Sequence, residues 1–264
     1  MLEDVIKIHG IPATNVRMIG SIRYNSIDRK GLPDRSGFLP HLGLDPAKKT
    51  IVFAGFVFTF QYFEMLAVYR RLLSENVDCQ LVLRLYPNKI FMNSVYIEPL
   101  MCFAETLPHT YVSCADPHFK HGDRNKEVLQ VEEEELWALL HHCDVLIDYY
   151  STITLEGAIF DKPCIRMHYI AKTSGAYVRP AVPINFWELN HNKRIMSYGG
   201  VEVAYSRGEL IDLIKTSLAG PERFAEARRR MVERECGSLD GLACDRLISE
   251  CESLLSAERG QIAN

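Results

Sequence analysis

Between residues 50 and 167, short uninterrupted apolar runs alternate with longer stretches of helical periodicity. Thr50-Ile51-Val52-Phe53-Ala54 is β-branched and aromatic, the composition of a strand buried on both faces. Residues 61–75 follow with apolar positions at Phe63, Leu66, Ala67, Leu72 and Leu73, one face of a helix. Gln80 to Leu85 is the next strand, ended by Tyr86-Pro87-Asn88. A helix over 93–105, a strand from His109 to Ser113 and a helix from Glu133 to His142 come next. The strand Val145–Asp148, a helix from Ser151 to Phe160 and the strand Cys164–Met167 complete the pattern. Helices over 209–218, 223–235 and 243–255 close the chain. Such alternation predicts βαβ units: an α/β protein with a parallel sheet covered by helices on both faces. Ligands in these sheets bind at the carboxyl ends of the strands, so the loops after Ala54, Leu85, Ser113, Asp148 and Met167 are the ones to inspect.

Upstream, residues 1–10 read as the end of a short helix closed by Gly10, and Val16–Ile19 as a short strand ending at Gly20. Residues 25–37 read as a loop, and Phe38–Leu42 as one helical turn. The 30 basic and 34 acidic residues leave a formal charge of -4, without the basic footprint of a nucleic-acid binder. The longest apolar run, Ile51–Phe60, falls well short of the ~18–20 residues a membrane-crossing helix needs. Met1–Lys7 is acidic and amphipathic, unlike a secretory leader. The eight cysteines form no Cys-x-x-Cys pair, and most sit among apolar neighbours. The expectation is a cytoplasmic chain with reduced thiols. Dinucleotide-binding, Walker, nucleophile-elbow and zinc-protease motifs are all missing.

The stretch from Leu136 to Pro163 is the richest in chemistry. A strand ending in Asp148 feeds Tyr149-Tyr150 and then Ser151-Thr152-Ile153-Thr154, which opens a helix. The N–H groups of a first helical turn, joined by the Ser151 and Thr152 hydroxyls, suit a phosphate, and the helix dipole adds attraction for an anion. Glu156 lies one turn further on the face of Thr152, where it can accept hydrogen bonds from a diol such as a ribose. The competing reading is plain helix capping by Ser151. A capping box places its acid three residues after the cap, which is Thr154 from Ser151 and Leu155 from Thr152, so Glu156 does not complete one.

The order Asp-Val-Leu-Ile-Asp-Tyr, Ser-Thr, Thr-Leu-Glu-Gly-Ala and Asp-Lys-Pro-Cys-Ile over residues 144–165 resembles the donor-nucleotide segment of GT-B glycosyltransferases. More narrowly, it is similar to surface-polysaccharide and CDP-glycerol-type transferases and to UDP-N-acetylglucosamine 2-epimerases. Gly20-Ser21-Ile22-Arg23-Tyr24 resembles the Gly-x-x-Arg-Phe/Tyr turn of that family. His41–Ala54 resembles the lead-in to the first donor-domain strand, and Leu81–Asn88 a strand that in the family often ends in His-Pro. Tyr86 stands where that His would be, and Ile153 where a small residue is common.

The resemblance implies a Rossmann-like, doubly wound parallel sheet, one half of a GT-B fold. It implies a nucleotide diphosphate sugar as donor substrate and metal-independent glycosyl transfer in surface-glycan synthesis, with no cofactor. Carried over, Ser151 and Thr152, with Gly20, Ser21, Arg23 and Gly55, would hold the donor phosphates, and Glu156 the ribose. Arg84, Tyr86 and His118 would contact the base or sugar. A nucleotide-sugar 2-epimerase and a non-catalytic nucleotide-sugar-binding module are the alternatives.

Several of these positions have plainer readings. Gly55 precedes Phe56, Val57, Phe58 and Phe60, which suit core or interdomain packing. Arg84 could pair with an acid instead of a phosphate. Cys114, His118 and His121 invite a zinc reading, but a further soft ligand at standard spacing is missing, so no metal is expected. Glu132–Glu135 reads as a solvated helix start. The basic helix over 223–234, with Arg223 and Arg228–Arg230, reads as a solvated face; peripheral contact with a membrane or an anionic acceptor is the alternative.

A two-domain GT-B enzyme needs on the order of 350–400 residues, whereas this chain has 264. The expected organisation is an N-terminal linker over 1–46, a donor-nucleotide domain over 47–220, and C-terminal helices over 221–264 packing back on it or on a partner. A partner domain or chain would then supply the acceptor site.

Overall fold

A computed structural model describes residues 2–24, 27, 31–56, 59–86, 97–113, 126–169 and 189–262. The chain divides into two compact units: residues 31–229, and residues 1–30 with 230–264.

The larger unit is built on six strands: β1 (Lys49–Ala54), β2 (Cys79–Arg84), β3 (Thr110–Ser113), β4 (Val145–Asp148), β5 (Cys164–Met167) and β6 (Val201–Ala204). They form one sheet in the order β3-β2-β1-β4-β5-β6, and every pair is parallel. This is the doubly wound Rossmann-like topology expected from the sequence. The chain winds outward from β1 to β3, then crosses back to lay β4 against the other side of β1. That reversal creates a crevice at the carboxyl ends of β1 and β4. The register there pairs Ala54 with Asp148, so the loops after these two residues flank the crevice.

β1, β2 and β4 are apolar because both faces are covered: Ile51, Val52, Phe53, Leu81, Val82, Leu83, Val145, Leu146 and Ile147 have no exposed surface. Helix α3 (Thr59–Ser74) follows two short helices, α1 (Leu2–Lys7) and α2 (Arg35–His41). It buries Tyr62, Met65, Leu66, Tyr69 and Leu72 in the main core. Helices α4 (Ile97–Glu105), α5 (Lys126–His142), α6 (Ile153–Ile159), α7 (Asn190–Ser197) and α8 (Arg207–Ala219) follow the later strands. The start of α6 agrees with the expected strand–turn–helix order.

At the amino ends of β1 and β4 a partly buried polar cluster ties α2 to the sheet. Arg35 donates to the carbonyls of Pro46, Lys48 and His142, to Thr50 Oγ1 and to Asp144. Asp144 also accepts from the Thr50 N–H and from Lys49. These bonds satisfy strand-end groups that no neighbouring strand reaches.

Two elements escape the sequence pattern. β6 is a four-residue edge strand only half buried, and α7 is polar. Val16–Ile19 is no strand: Val16 is extended, at φ -112 and ψ 132, but the segment has no ladder partner among the described residues. The basic helix is also not simply solvated. α9 (Ala225–Cys236) carries Arg228, which is 1% exposed. Arg228 donates to Asp161 Oδ1 at 2.9 Å and to the carbonyls of Pro221 and Arg223. Its charge is spent inside the unit, clasping the start of α9.

The smaller unit holds α1, two 3-10 turns at Ala13–Asn15 and Ile22–Tyr24, and the long helix α10 (Ala243–Ile262). Arg17 pairs with Glu250 at 3.4 Å, and Arg246 with Asp240. Seven cysteines are described, all as free thiols; Cys143 is buried, which pushes its pKa up to about 12. No helix among the described residues is long and apolar enough to cross a membrane.

Candidate functional site

The turn between β4 and α6 is organised by Asp148, the last residue of β4 and 2% exposed. A carboxylate in that position needs partners, and four donors converge on it. Arg166 reaches it from the adjacent strand β5 with a fork, Nε to Oδ1 at 3.2 Å and Nη2 to Oδ2 at 2.8 Å. The Ser151 N–H donates to Oδ2 at 2.9 Å and the Thr154 hydroxyl at 2.8 Å. Arg166 has no exposed surface and also donates to Thr154 Oγ1, Ser151 O and Asn192 Oδ1. Asp148 and Arg166 thus neutralise each other while fixing both ends of the Ser151–Thr154 turn.

The chain enters that turn through Tyr150, a non-glycine residue at φ +55. This left-handed backbone is uncommon for a bulky side chain and marks a constrained position. The Tyr150 ring lies 5.5 Å from the Arg166 guanidinium carbon, and its hydroxyl is hydrogen-bonded to His168 Nδ1. His168 follows β5, and the ring of Tyr205, which is largely exposed, packs edge-on against it with centroids 5.1 Å apart. Burial lowers the His168 pKa, so its ring favours the neutral form.

The turn caps its own helix. Ser151 Oγ accepts from the Ile153 N–H at 3.3 Å, which makes Ser151 the effective cap. The Ser151 N–H is spent on Asp148. The Thr152 side chain caps nothing and Thr152 is exposed, so its hydroxyl and N–H, together with the Ser151 O–H, are donors of the turn without a partner among the described residues. Glu156 sits one turn further along α6 and is only 3% exposed. Gly157 beside it is required by packing: a Cβ there would lie 2.4 Å from Leu146 Cδ2.

Across the crevice, Gly55 follows β1. A Cβ there would lie 2.6 Å from the Tyr62 ring, so the close approach that requires glycine is to Tyr62. The Tyr62 hydroxyl accepts from the Tyr86 N–H at 3.0 Å, and the Tyr86 ring packs on Phe56 with centroids 5.0 Å apart. Arg84 donates to Ser113 Oγ at 2.6 Å and pairs with Glu135 at 3.4 Å, the acid-pairing alternative for this residue. Gln61, missed by sequence reasoning, accepts from the Phe56 N–H at 2.9 Å. Its Nε2 is the one buried side-chain polar atom without a partner among the described residues.

Gly20, Ser21 and Arg23 belong to the smaller unit. Gly20 has φ +92, and a Cβ there would meet the Ser238 carbonyl at 3.0 Å; Arg23 lies over the Tyr24 ring at 5.9 Å. His118, with Cys114 and His121, lies outside the described residues. Among the described residues, no three metal-ligating side chains come together.

No protein-family model matches the sequence, and no curated protein resembles it in sequence. Solved structures do resemble it in fold. A Listeria monocytogenes protein assigned as a UDP-N-acetylglucosamine 2-epimerase matches with a TM-score of 0.60 at 11% identity, over 96% of this chain and 56% of that one. The wall teichoic acid polymerase TagF matches at 0.59 and 15% identity, over 97% of this chain and 56% of that one. The UDP-GlcNAc 2-epimerase of Neisseria meningitidis, bound to UDP-GlcNAc, matches at 0.54 and 10% identity, over 94% and 58%. The chain has the fold of a GT-B half. It spans little more than half the length of these structures. In this GT-B half, the β4–α6 turn stands at the reversal point of the sheet, where a doubly wound fold holds its ligand.

Proposed function

We propose that the chain binds a nucleotide diphosphate sugar at the β4–α6 turn and forms the donor half of a metal-independent glycosyltransferase in surface-glycan synthesis. The observation that carries this reading is the Ser151–Thr154 turn, held by the buried Asp148–Arg166 pair at the crevice between β1 and β4. Thr152 offers its hydroxyl and N–H to the diphosphate, and Ser151 shapes the turn. As the sugar–phosphate bond breaks, negative charge builds on the leaving diphosphate. Fixed donors and the positive end of α6 favour that charge without reorganising. Glu156, on the Thr152 face of α6, is assigned to the ribose, and Tyr86 to the base or sugar. Structural relatives carrying UDP or UDP-GlcNAc support a nucleotide-sugar ligand.

In this reading residues 1–46 and the helices after 221 connect to a partner domain or chain that supplies the acceptor side, in the cytoplasm or at its membrane surface. A second reading, a nucleotide-sugar 2-epimerase, is favoured by the epimerases among the structural relatives. Incubation with UDP-N-acetylglucosamine separates the two. Epimerised sugar or free UDP without an acceptor indicates the epimerase, and transfer only with an acceptor indicates the transferase. A thermal-shift panel of UDP, CDP, GDP and their sugars tests the shared claim, because a ligand bound to the native state raises the melting temperature. No shift with any member would refute it.

A further inference from the structure

Residues of α3 and α8 line a cavity of about 560 Å3 that includes none of the β4–α6 turn. Ala67 and Ile211 give it apolar lining, and Ser74 a hydroxyl. Arg70, Arg71 and Arg207 bring three guanidinium groups to the same space.

None of the three is fully engaged. Arg207 donates Nε and Nη2 to the two oxygens of Glu64, at 2.7 and 2.6 Å. Glu64 is 2% exposed and also accepts from the Tyr169 hydroxyl at 3.1 Å. That fork onto a buried carboxylate holds the half-exposed Arg207 in place, while its Nη1 has no partner among the described residues. Arg71 reaches Glu75 through Nε at 2.6 Å, but Glu75 is shared with Lys215. Arg70 makes no ion pair among the described residues and lies 5.9 Å over the Phe103 ring. With Lys215 counted, the cluster holds two positive charges in excess of Glu64 and Glu75, in a chain whose formal charge is -4. Guanidinium groups with free N–H donors match phosphate oxygens, and the volume falls within the roughly 300–1,000 Å3 of small-molecule sites.

We propose that this cavity is a second anion site, separate from the donor turn, for a ligand carrying phosphate groups. The phosphate is that of a soluble phosphate ester or of a lipid headgroup.

Titration of the full chain with inorganic pyrophosphate at low ionic strength, with and without saturating UDP, reads this site apart from the donor turn. The wild-type chain is expected to go on binding pyrophosphate when UDP is present. Arg70→Gln with Arg71→Gln, both exposed side chains, is expected to weaken that binding by about tenfold or more, the scale of losing a charge-assisted hydrogen bond. UDP binding is expected to stay unchanged. Absence of UDP binding would refute the donor reading, yet the comparison of the two proteins in pyrophosphate would still read this cavity. The proposal is overturned if the double variant binds pyrophosphate as tightly as the wild-type chain, both with and without UDP. Flotation with phosphatidylglycerol and phosphatidylcholine vesicles distinguishes the sources. Retention of the wild-type chain, but not the double variant, on phosphatidylglycerol alone assigns a lipid phosphate; pyrophosphate binding without retention assigns a soluble ester.

Discussion

Replacing Asp148 with Ala would leave Arg166 charged, without exposed surface, and stripped of the only carboxylate it pairs with among the described residues. Breaking a buried ion pair from one side costs about 3–5 kcal/mol, because the remaining charge loses its compensation. The Ser151 N–H and the Thr154 hydroxyl lose an acceptor in the same step. For a unit of this size, about 2–4 °C of melting temperature goes with each kcal/mol, so the expected fall is roughly 6–20 °C. Urea denaturation followed by circular dichroism gives the free energy, provided the slope of the transition is unchanged. Replacing both members with apolar residues, Asp148→Leu with Arg166→Met, should recover much of the loss, since no orphaned charge remains. Nucleotide binding should not recover with it, because the turn has lost its anchors. A cost below about 1 kcal/mol for Asp148→Ala, or a double variant no more stable than the single, would refute a desolvated, mutually dependent pair.

Further outcomes follow from the same geometry. Gly157→Ala drives a Cβ to 2.4 Å from Leu146 Cδ2 and 3.1 Å from Cys164 Sγ; a cost of about 1–3 kcal/mol is expected, and a double-mutant cycle of thermal melts should find it smaller in a Leu146→Ala background. Glu156→Gln should weaken UDP binding with little change in melting temperature if the carboxylate holds a ribose; a large fall in stability with intact binding would assign it to packing. His142 and His168 have pKa values lowered by burial from the ordinary 6.5, so the folded state favours their neutral rings. Their contribution is complete above the unfolded value of about 6.5 and is lost as the pH drops through the folded values, because the unfolded chain takes up protons first. Stability curves from pH 8 to pH 5 should show that decline, and His142→Gln should flatten it.

The central sheet was legible because its strands are buried on both faces, and the Val145–Asp148 and Cys164–Met167 strands fall where the apolar runs lie. β6 was not legible, because only Val201 and Ala204 of its four residues are buried, and so short a run after Gly199-Gly200 resembles a loop. Val16–Ile19 shows the converse: a β-branched run extends, but a strand also needs a neighbour that local sequence does not supply. At the turn, the Ser-Thr pattern pointed to the helix opening but not to the division of labour within it. That division depends on Asp148, whose partner Arg166 lies 18 residues away. One signal was present: an arginine inside the buried strand Cys164-Ile165-Arg166-Met167 demands a buried acid nearby. Gly55 read either as a ligand-approach position or as core packing, and Gly157 as a family motif position; in the structure an added Cβ at either would collide with a side chain, Tyr62 or Leu146.

Calorimetric titration of the chain with UDP, CDP and GDP, beside Ser151→Ala with Glu156→Ala, tests the donor-site claim most directly. The account predicts that at least one nucleoside diphosphate binds more tightly than inorganic pyrophosphate, and that the double variant loses this preference while remaining folded. Binding unchanged in the double variant, or no nucleotide bound by the wild-type chain, would contradict it.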